Sequence, residues 1–369
     1  MKKTILATAI AGAIAATGMM ATNAQAATVY DQDGTRLDLY GRIALGIQGG
    51  GQNEAIVNDE GEQTGQIKKN GTEFVDVFSR FGLRGTQRIS DDLTAYGNFE
   101  LRPQLDEVNR GGQQVRNSFL GLRSNAFGSL QAGNFDNFYL NTVAAPFDVY
   151  INRGLELTGG GFQGRGDSIG YITPNLEGFQ VYLMGKHYTG NDAVVGSPGS
   201  NSSKWNMAGG AVYEVDALRL ALGVTEDIER GNDGQGVGEN VYGGSASFEF
   251  VPGFSGRLAY EYQSDQEDKI GVGMTYAINE WAFNLDYYRI ESQGDLKAAQ
   301  QARDESTSRN SWAAGAYYKV SSNFDVFAEV HEADQDTILD RDTTGSELGD
   351  NLRNVRDNVY WLTGVRYHF

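Results

Sequence analysis

The chain has 369 residues, with 48 acidic and 30 basic side chains giving a net charge of −18, and it contains no cysteine. This acidity opposes nucleic-acid binding, and without cysteine neither a disulfide framework nor a thiolate metal centre is available. The three histidines, His187, His331 and His368, lack the spacing of a zinc site. Beyond the N-terminus no run of 18 apolar residues occurs, which excludes a spanning helix. The 11% aromatic content and the regular recurrence of apolar residues exclude an acidic disordered chain.

Residues 1–26 read as a cleaved secretory signal, with Lys2 and Lys3 leading an apolar stretch from Ile5 to Met20 and Ala24-Gln25-Ala26 as the cleavage site. Its removal takes away two lysines and leaves residues 27–369, at a charge of −20, as a single domain without a linker-like shift in composition. The first strand expected is Arg36–Ile47, with Leu37, Leu39, Ile43, Leu45 and Ile47 on one face and Arg36, Asp38, Tyr40 and Arg42 on the other. A second, Glu73–Ile89, sets Val75, Val77, Phe81 and Leu83 against Asp76, Arg80 and Arg84. A third, Leu93–Arg102, sets Leu93, Ala95, Phe99 and Leu101 against Tyr96, Asn98, Glu100 and Arg102. Then follow Gln113–Arg123, Gly128–Phe135, Asp167–Pro174, Phe179–Tyr188, Lys204–Val215, Leu218–Ile228, Asn240–Val251, Gly256–Gln263, Lys269–Ile278, Trp281–Glu291, Arg309–Val320 and Phe324–Glu332. The last of these 16 strands is Asn354–Phe369, whose Val359, Trp361, Val365, Tyr367 and Phe369 share a face.

Short turns such as Pro252-Gly253 and Asn279-Glu280 alternate with long polar connections at 48–71, 189–203, 229–239, 292–308 and 333–353. Strands of about 10 residues with one apolar and one polar face suit an outer-membrane β-barrel, in which lipid wets one face and water the other. Trp281, Trp312, Tyr317, Tyr318 and Phe369 are expected in its interfacial girdles. Only five prolines interrupt the chain, as a sheet without edges requires.

Several segments, in order along the chain, carry a family likeness: residues 33–42 (DGTRLDLYGR), 79–85 (SRFGLRG), 92–97 (DLTAYG), Arg116 through Leu122, and 127–130 (FGSL). Over essentially the whole mature length the chain resembles the trimeric general porins of Gram-negative outer membranes. The resemblance implies an all-β, 16-stranded antiparallel transmembrane barrel, a third loop folded inward to narrow a water-filled pore, and a homotrimer. That loop is expected at Gly133–Phe162. Arg42, Arg80, Arg116 and Arg165 match the family's basic cluster on the pore wall, although Arg165 shares parity with the outward-reading Ile169 and Tyr171. The family's loop acid follows a proline directly; here Ala145-Pro146-Phe147-Asp148 displaces it, making Asp148 the first candidate and Asp136 and Glu156 the next. Arg153, in the same loop, can also enter the pore.

The loop Pro103–Gln113 matches the family's latch between subunits, with Asp106, Glu107 and Arg110 as its charged residues. The terminal Phe369 resembles the signal read by the barrel-assembly machinery. Outer-membrane lipid and lipopolysaccharide are the expected surroundings, small hydrophilic solutes and ions the expected cargo, and no cofactor or nucleic acid is implied.

The acidic run Asp334, Asp336, Asp340 and Asp342 reads as a solvated loop before a Ca²⁺ site. Arg165-Gly166-Asp167 is too short to signify adhesion, and no nucleophile is paired with a base by spacing, so an enzyme is not indicated. Two rival readings remain. A sugar-specific channel would need a run of lumen aromatics, for which only Tyr40 and Tyr96 are candidates. A structural or adhesive barrel would bind partners through its surface loops.

Overall fold

The computed structural model describes residues 26–51, 54–57, 63–67, 71–106, 113–158, 165–188, 204–226, 240–302, 306–332 and 359–369. Residues 1–25 of the signal segment, Glu107, Arg110 and the acidic run at 334–342 lie outside the described residues. Strands follow in the order β1 (Ala27–Gln32), β2 (Thr35–Gly50), β3 (Glu54–Val57), β4 (Gln63–Ile67), β5 (Glu73–Asp76), β6 (Arg80–Arg88), β7 (Leu93–Pro103), β8 (Gln113–Ser124), β9 (Gly128–Asp136) and β10 (Arg165–Ile172). They continue as β11 (Phe179–Tyr188), β12 (Lys204–Val215), β13 (Leu218–Glu226), β14 (Asn240–Val251), β15 (Phe254–Gln263), β16 (Glu267–Ile278), β17 (Trp281–Ser292), β18 (Ser308–Lys319), β19 (Phe324–Glu332) and β20 (Val359–His368).

From β6 onward each strand pairs antiparallel with the next, and β20 returns to pair with β2 over Arg42–Gly50. With β5 and β6 forming one wall strand, 16 strands close the sheet on itself. Closure leaves no unpaired barrel edge in the bilayer, where an unsatisfied backbone group costs several kcal/mol. Within the described residues the 16 wall strands follow the expected boundaries closely; the expected end at Ile228 and start at Asn354 lie outside them. Three elements were not anticipated: the hairpin strand β1, folded onto β2 by the turn at Asp33-Gly34; the pair β3–β4; and helix α1 (Gly294–Ala302).

The alternation works inside out. Along β17, Trp281, Phe283, Leu285 and Tyr287 face outward at 40–47% exposure, whereas Asp286 and Tyr288 beside them are fully buried within the barrel. Near the short-turn end, outward aromatics form contacts: Trp281 with Phe283 and Tyr318, and Phe250 with Phe248 and Phe254. Tyr317 is not among them. It turns inward and donates from its hydroxyl to Glu329 Oε1 at 2.6 Å, as its odd position beside outward Tyr318 requires.

One register change corrects the sequence reading. Leu45 faces Asp76 and Arg42 faces Arg80, so Val77, Phe78 and Ser79 oppose only Ile43 and Ala44. This bulge, with Phe78 at φ +60°, flips the strand's parity. Val75 and Val77, expected to face outward with Phe81, therefore turn inward, and Val77 packs with Ala44, Ile151, Phe327 and Leu362.

The segment 137–158, between β9 and β10, packs inside the barrel. It includes a short helical stretch, Leu140–Ala144 followed by Ala145–Phe147. Phe147 and Leu157 bury against Ala259, Tyr288 and Ile290 of the wall, and Phe138 buries against Ile172 and Met184. Ile151 packs in turn with Ala44, Phe327 and Leu362, so the apolar core lies between this segment and the inner wall.

Candidate pore constriction

Inward parity brings Tyr40 and Arg42 of β2, Arg80 and Arg84 of β6, and Glu100 and Arg102 of β7 to one stretch of the inner wall. Arg42 and Arg80 are direct cross-strand partners. Arg116 arrives by a different route. Between β7 and β8 the register shifts, Glu100 facing Asn117 and Leu101 facing Val115. The extra residue is Arg116, and the bulge lets it point inward while Val115 stays outside at 45% exposure.

Buried Glu100 knits the cluster together. Arg116 Nη1 donates to Glu100 Oε1 at 2.9 Å, Arg80 lies 3.7 Å from the same oxygen, and Tyr40 donates to Oε2 at 3.0 Å. Arg116 Nη2 also reaches Asp136 Oδ2 at 3.1 Å, where β9 ends and the inward segment begins. Arg42 donates to the carbonyl of Phe78 at 3.1 Å. The charges acting most strongly on it are Arg80, Arg366, Arg116 and Arg102, so five arginines share this region. Arg366 is offset by Asp325 at 2.8 Å. Glu100, Arg102 and Arg366 were legible as inward residues from strand parity alone; no local motif marked them as part of the cluster.

Asp148 answers this cluster from the inward segment. Its carboxyl is pushed up from the ordinary aspartate range first by burial and then by Asp136, while Arg116, Arg80 and Arg42 pull it down. It thus sits within the field of three of the four wall arginines that the family likeness singled out. Asp136 lies beside it, engaged by Arg116.

Glu156 is placed elsewhere. Arg309 Nη1 donates to its Oε2 at 3.1 Å, Ser311 to Oε1 at 2.9 Å, and His331 Nε2 lies 3.1 Å from Oε1. It ties the inward segment to β18 and β19. Two further wall carboxylates do the same. Glu329 accepts from the amides of Ile151 and Asn152 at 2.6 and 3.2 Å, and Glu261 accepts from the Thr158 amide at 3.0 Å and from the Tyr139 hydroxyl at 2.8 Å. Tyr150 donates to the carbonyl of Ala313 at 2.8 Å. These anchors were missed, because each joins residues more than 100 positions apart and no local pattern announces them.

The remaining expected residues separate. Arg165 opens β10 opposite Asp136 in register, on the parity of exposed Asp167 and Ile169; its side chain lies outside the described residues. Asp106 is buried and accepts from the Asp76 amide of its own chain at 3.2 Å. Arg153 places its guanidinium 4.3 Å from the centre of the Tyr360 ring. Phe369 exchanges both backbone hydrogen bonds with Gly41, at 2.8 and 3.0 Å.

Comparison with known proteins agrees with this geometry. The sequence profile of the Gram-negative porin family matches residues 7–338. A monosaccharide porin of Halomonas sp. and the major outer membrane protein of Halomonas elongata are each 28% identical, over all of this chain and 95% of theirs. Outer membrane porin F of Escherichia coli K12 is 25% identical over 85% of this chain and 75% of its own. Among solved structures, Salmonella typhi OmpF superposes with a TM-score of 0.65 at 17% identity, over 93% of this chain and 100% of its own. The anion-selective porin of Comamonas acidovorans does so at 0.65 and 16%, over 91% and 100%. The closed barrel, its inward-facing charges and the family match together establish that this chain belongs to the Gram-negative porin family and is an outer-membrane porin.

Proposed function

We propose that the barrel is a general channel for passive diffusion of small hydrophilic solutes and ions, sieved by the inward segment and by the field between wall arginines and loop carboxylates. The observation that carries this reading is the position of Asp148 in the field of Arg42, Arg80 and Arg116, with Asp136 alongside. Charged side chains at a narrow point set selectivity in such pores. A unit charge contributes about 0.5 kcal/mol at roughly 8 Å in bulk-water dielectric, and more where protein displaces water. Charges beyond about 10 Å are screened at 0.1 M salt, so these few residues outweigh the distant acidic loops.

Tyr40 and Tyr96 favour a general channel over a sugar-specific one, the function named for the Halomonas relative. Their hydroxyls lie within hydrogen-bond distance of wall partners, Asn98 at 2.7 Å and Gln131 at 3.1 Å. Arg84 and Arg123 cover their ring faces at 4.7 and 4.9 Å, so neither offers a bare stacking surface. A channel of this kind has no catalytic step to perform.

The proposal extends to a homotrimer set in lipid and lipopolysaccharide, delivered by a cleaved signal at residues 1–26 and assembled through the terminal Phe369. Its support is the likeness to trimeric porins. Asp106, Glu107 and Arg110 carry the latch, Asp106 also accepting from the Asp76 amide of its own chain.

The test is the reversal potential in planar bilayers under a salt gradient. Asp148→Asn is expected to shift it towards anions and Arg80→Ser towards cations. Unchanged potentials in both variants would overturn the proposed constriction, and absence of conductance from purified wild type would overturn the channel itself.

A further inference from the structure

Above the arginine cluster, towards the long-loop end, lies a separate cavity of about 140 Å³ between the tip of the inward segment and the wall. Its wall side is built in register: Gln48 of β2 faces Glu73 of β5, and Gly50 faces Tyr360 of β20, so Gln48, Glu73 and Tyr360 project inward at neighbouring levels. Its loop side carries Asn152 and Arg153. The side chains of these five residues make no hydrogen bond within the protein among the described residues, which sets them apart from the paired groups of the constriction. His331, which also lines the cavity, keeps Nδ1 buried and without a partner while Nε2 serves Glu156.

Three features distinguish this place from an ordinary wet wall. Glu73 and Arg153 are opposite charges lining one small cavity, yet no ion pair joins them. Second, the loop tip is held from behind. Glu329 fixes the amides of Ile151 and Asn152, and Gly154 at φ +117° turns against Ala313, where a Cβ would come within 2.7 Å. Third, Arg153 rests on the Tyr360 ring and is thereby oriented without being neutralised. A donor already oriented, as Arg153 is, costs little further ordering when a solute arrives. The volume far exceeds the roughly 10–15 Å³ that one water requires.

From this arrangement we infer that the cavity is a low-affinity subsite for small zwitterionic solutes of α-amino acid size. The solute carboxylate lies on Arg153, its ammonium on Glu73, and Gln48 and Asn152 take the remaining polar contacts. A dipolar solute satisfies both charges at once; a neutral sugar leaves both unpaired, and a simple ion satisfies one. The inference rests on the channel reading above, because the site is reached through the lumen.

Single-channel current in potassium chloride, with L-alanine added on the long-loop side, provides the test. Brief current interruptions are expected whose frequency saturates with L-alanine concentration. Glucose, propionate and ethylammonium at the same concentrations are expected to give at least fivefold fewer. Glu73→Gln and Arg153→Gln should each lower the frequency at least fivefold, with heat-resistant folding on gels as the control. Interruptions by glucose equal to those by L-alanine would overturn the zwitterion assignment. Their absence in a conducting wild-type channel, or their persistence in both folded variants, would overturn the site. Failure to conduct at all would instead fault the channel reading.

Discussion

In the proposed constriction Asp148 is the residue on which selectivity turns, and its surroundings fix how it responds to acid. Burial, reinforced by Asp136, holds its carboxyl above the ordinary value of 3.8 despite three nearby arginines. The charged form is therefore the disfavoured one. Above the raised pKa this group subtracts from stability, and the penalty vanishes as pH falls through it. Asp148 consequently neutralises at a higher pH than an unperturbed aspartate. The constriction gains net positive charge as it does, and the reversal potential is expected to move towards anions while pH is still above 3.8. Asp148→Asn should lie at the anion-shifted potential throughout and lose that step. A wild-type potential that stays flat from pH 7 down to the ordinary aspartate range would contradict this assignment.

The inward segment is an element held by carboxylates that the wall supplies or receives, and Glu156 shows the strength of one such tie. Burial alone would raise its carboxyl, but the His331 hydrogen bond, the Arg309 charge and Ser311 hold it at about 2 against an ordinary 4.5. A depressed acid contributes stability that is complete above pH 4.5 and lost as pH falls towards about 2. At 1.36 kcal/mol per unit the difference is roughly 3 kcal/mol. Glu156→Gln removes the carboxylate charge that faces Arg309 and His331 at neutral pH, and the stabilisation from that charge is lost with it. A lower melting temperature in detergent and a noisier open-channel current are expected, and wild-type values for both would exclude the tie. The charge of Glu156 was legible in the sequence, but its partners were not, since Arg309 lies 153 residues away. Strand alternation was legible because lipid and water impose opposite demands on successive side chains. The two bulges were not, since one inserted residue changes neither composition nor length noticeably while reversing the faces of Val75, Val77 and Arg116. Helix α1 escaped notice inside a connection whose polarity reads as loop.

At the scale of the whole molecule, stability depends on closing the ring, and the seam between β2 and β20 is where the chain's two ends meet. A sheet open at that seam would expose unpaired backbone groups to hydrocarbon. The last residue completes it: Phe369 and Gly41 exchange two backbone hydrogen bonds, and Tyr367 stacks its ring near that of Phe369 at 6.3 Å. Gly41 permits this approach because it has no side chain. A Cβ there would lie 2.6 Å from both the Arg80 carbonyl and the Phe369 ring. The ring can swing aside, but the Arg80 carbonyl belongs to the neighbouring strand and can move only with it. Gly41→Ala therefore strains the β2–β6 pairing and the closing contact together. Deletion of Phe369 removes the closing contact alone. Both variants are expected to lower the yield of folded, heat-resistant barrel in outer-membrane fractions while leaving export intact. Gly41→Ala should also slow refolding from urea into detergent micelles, where no assembly machinery is present. If Gly41→Ala folds in micelles at the wild-type rate and yield, the seam tolerates a side chain and the closing contact is not what limits assembly. If only the Phe369 deletion fails, and only in cells, the terminal aromatic acts through recognition by the assembly machinery and not through closure of the ring.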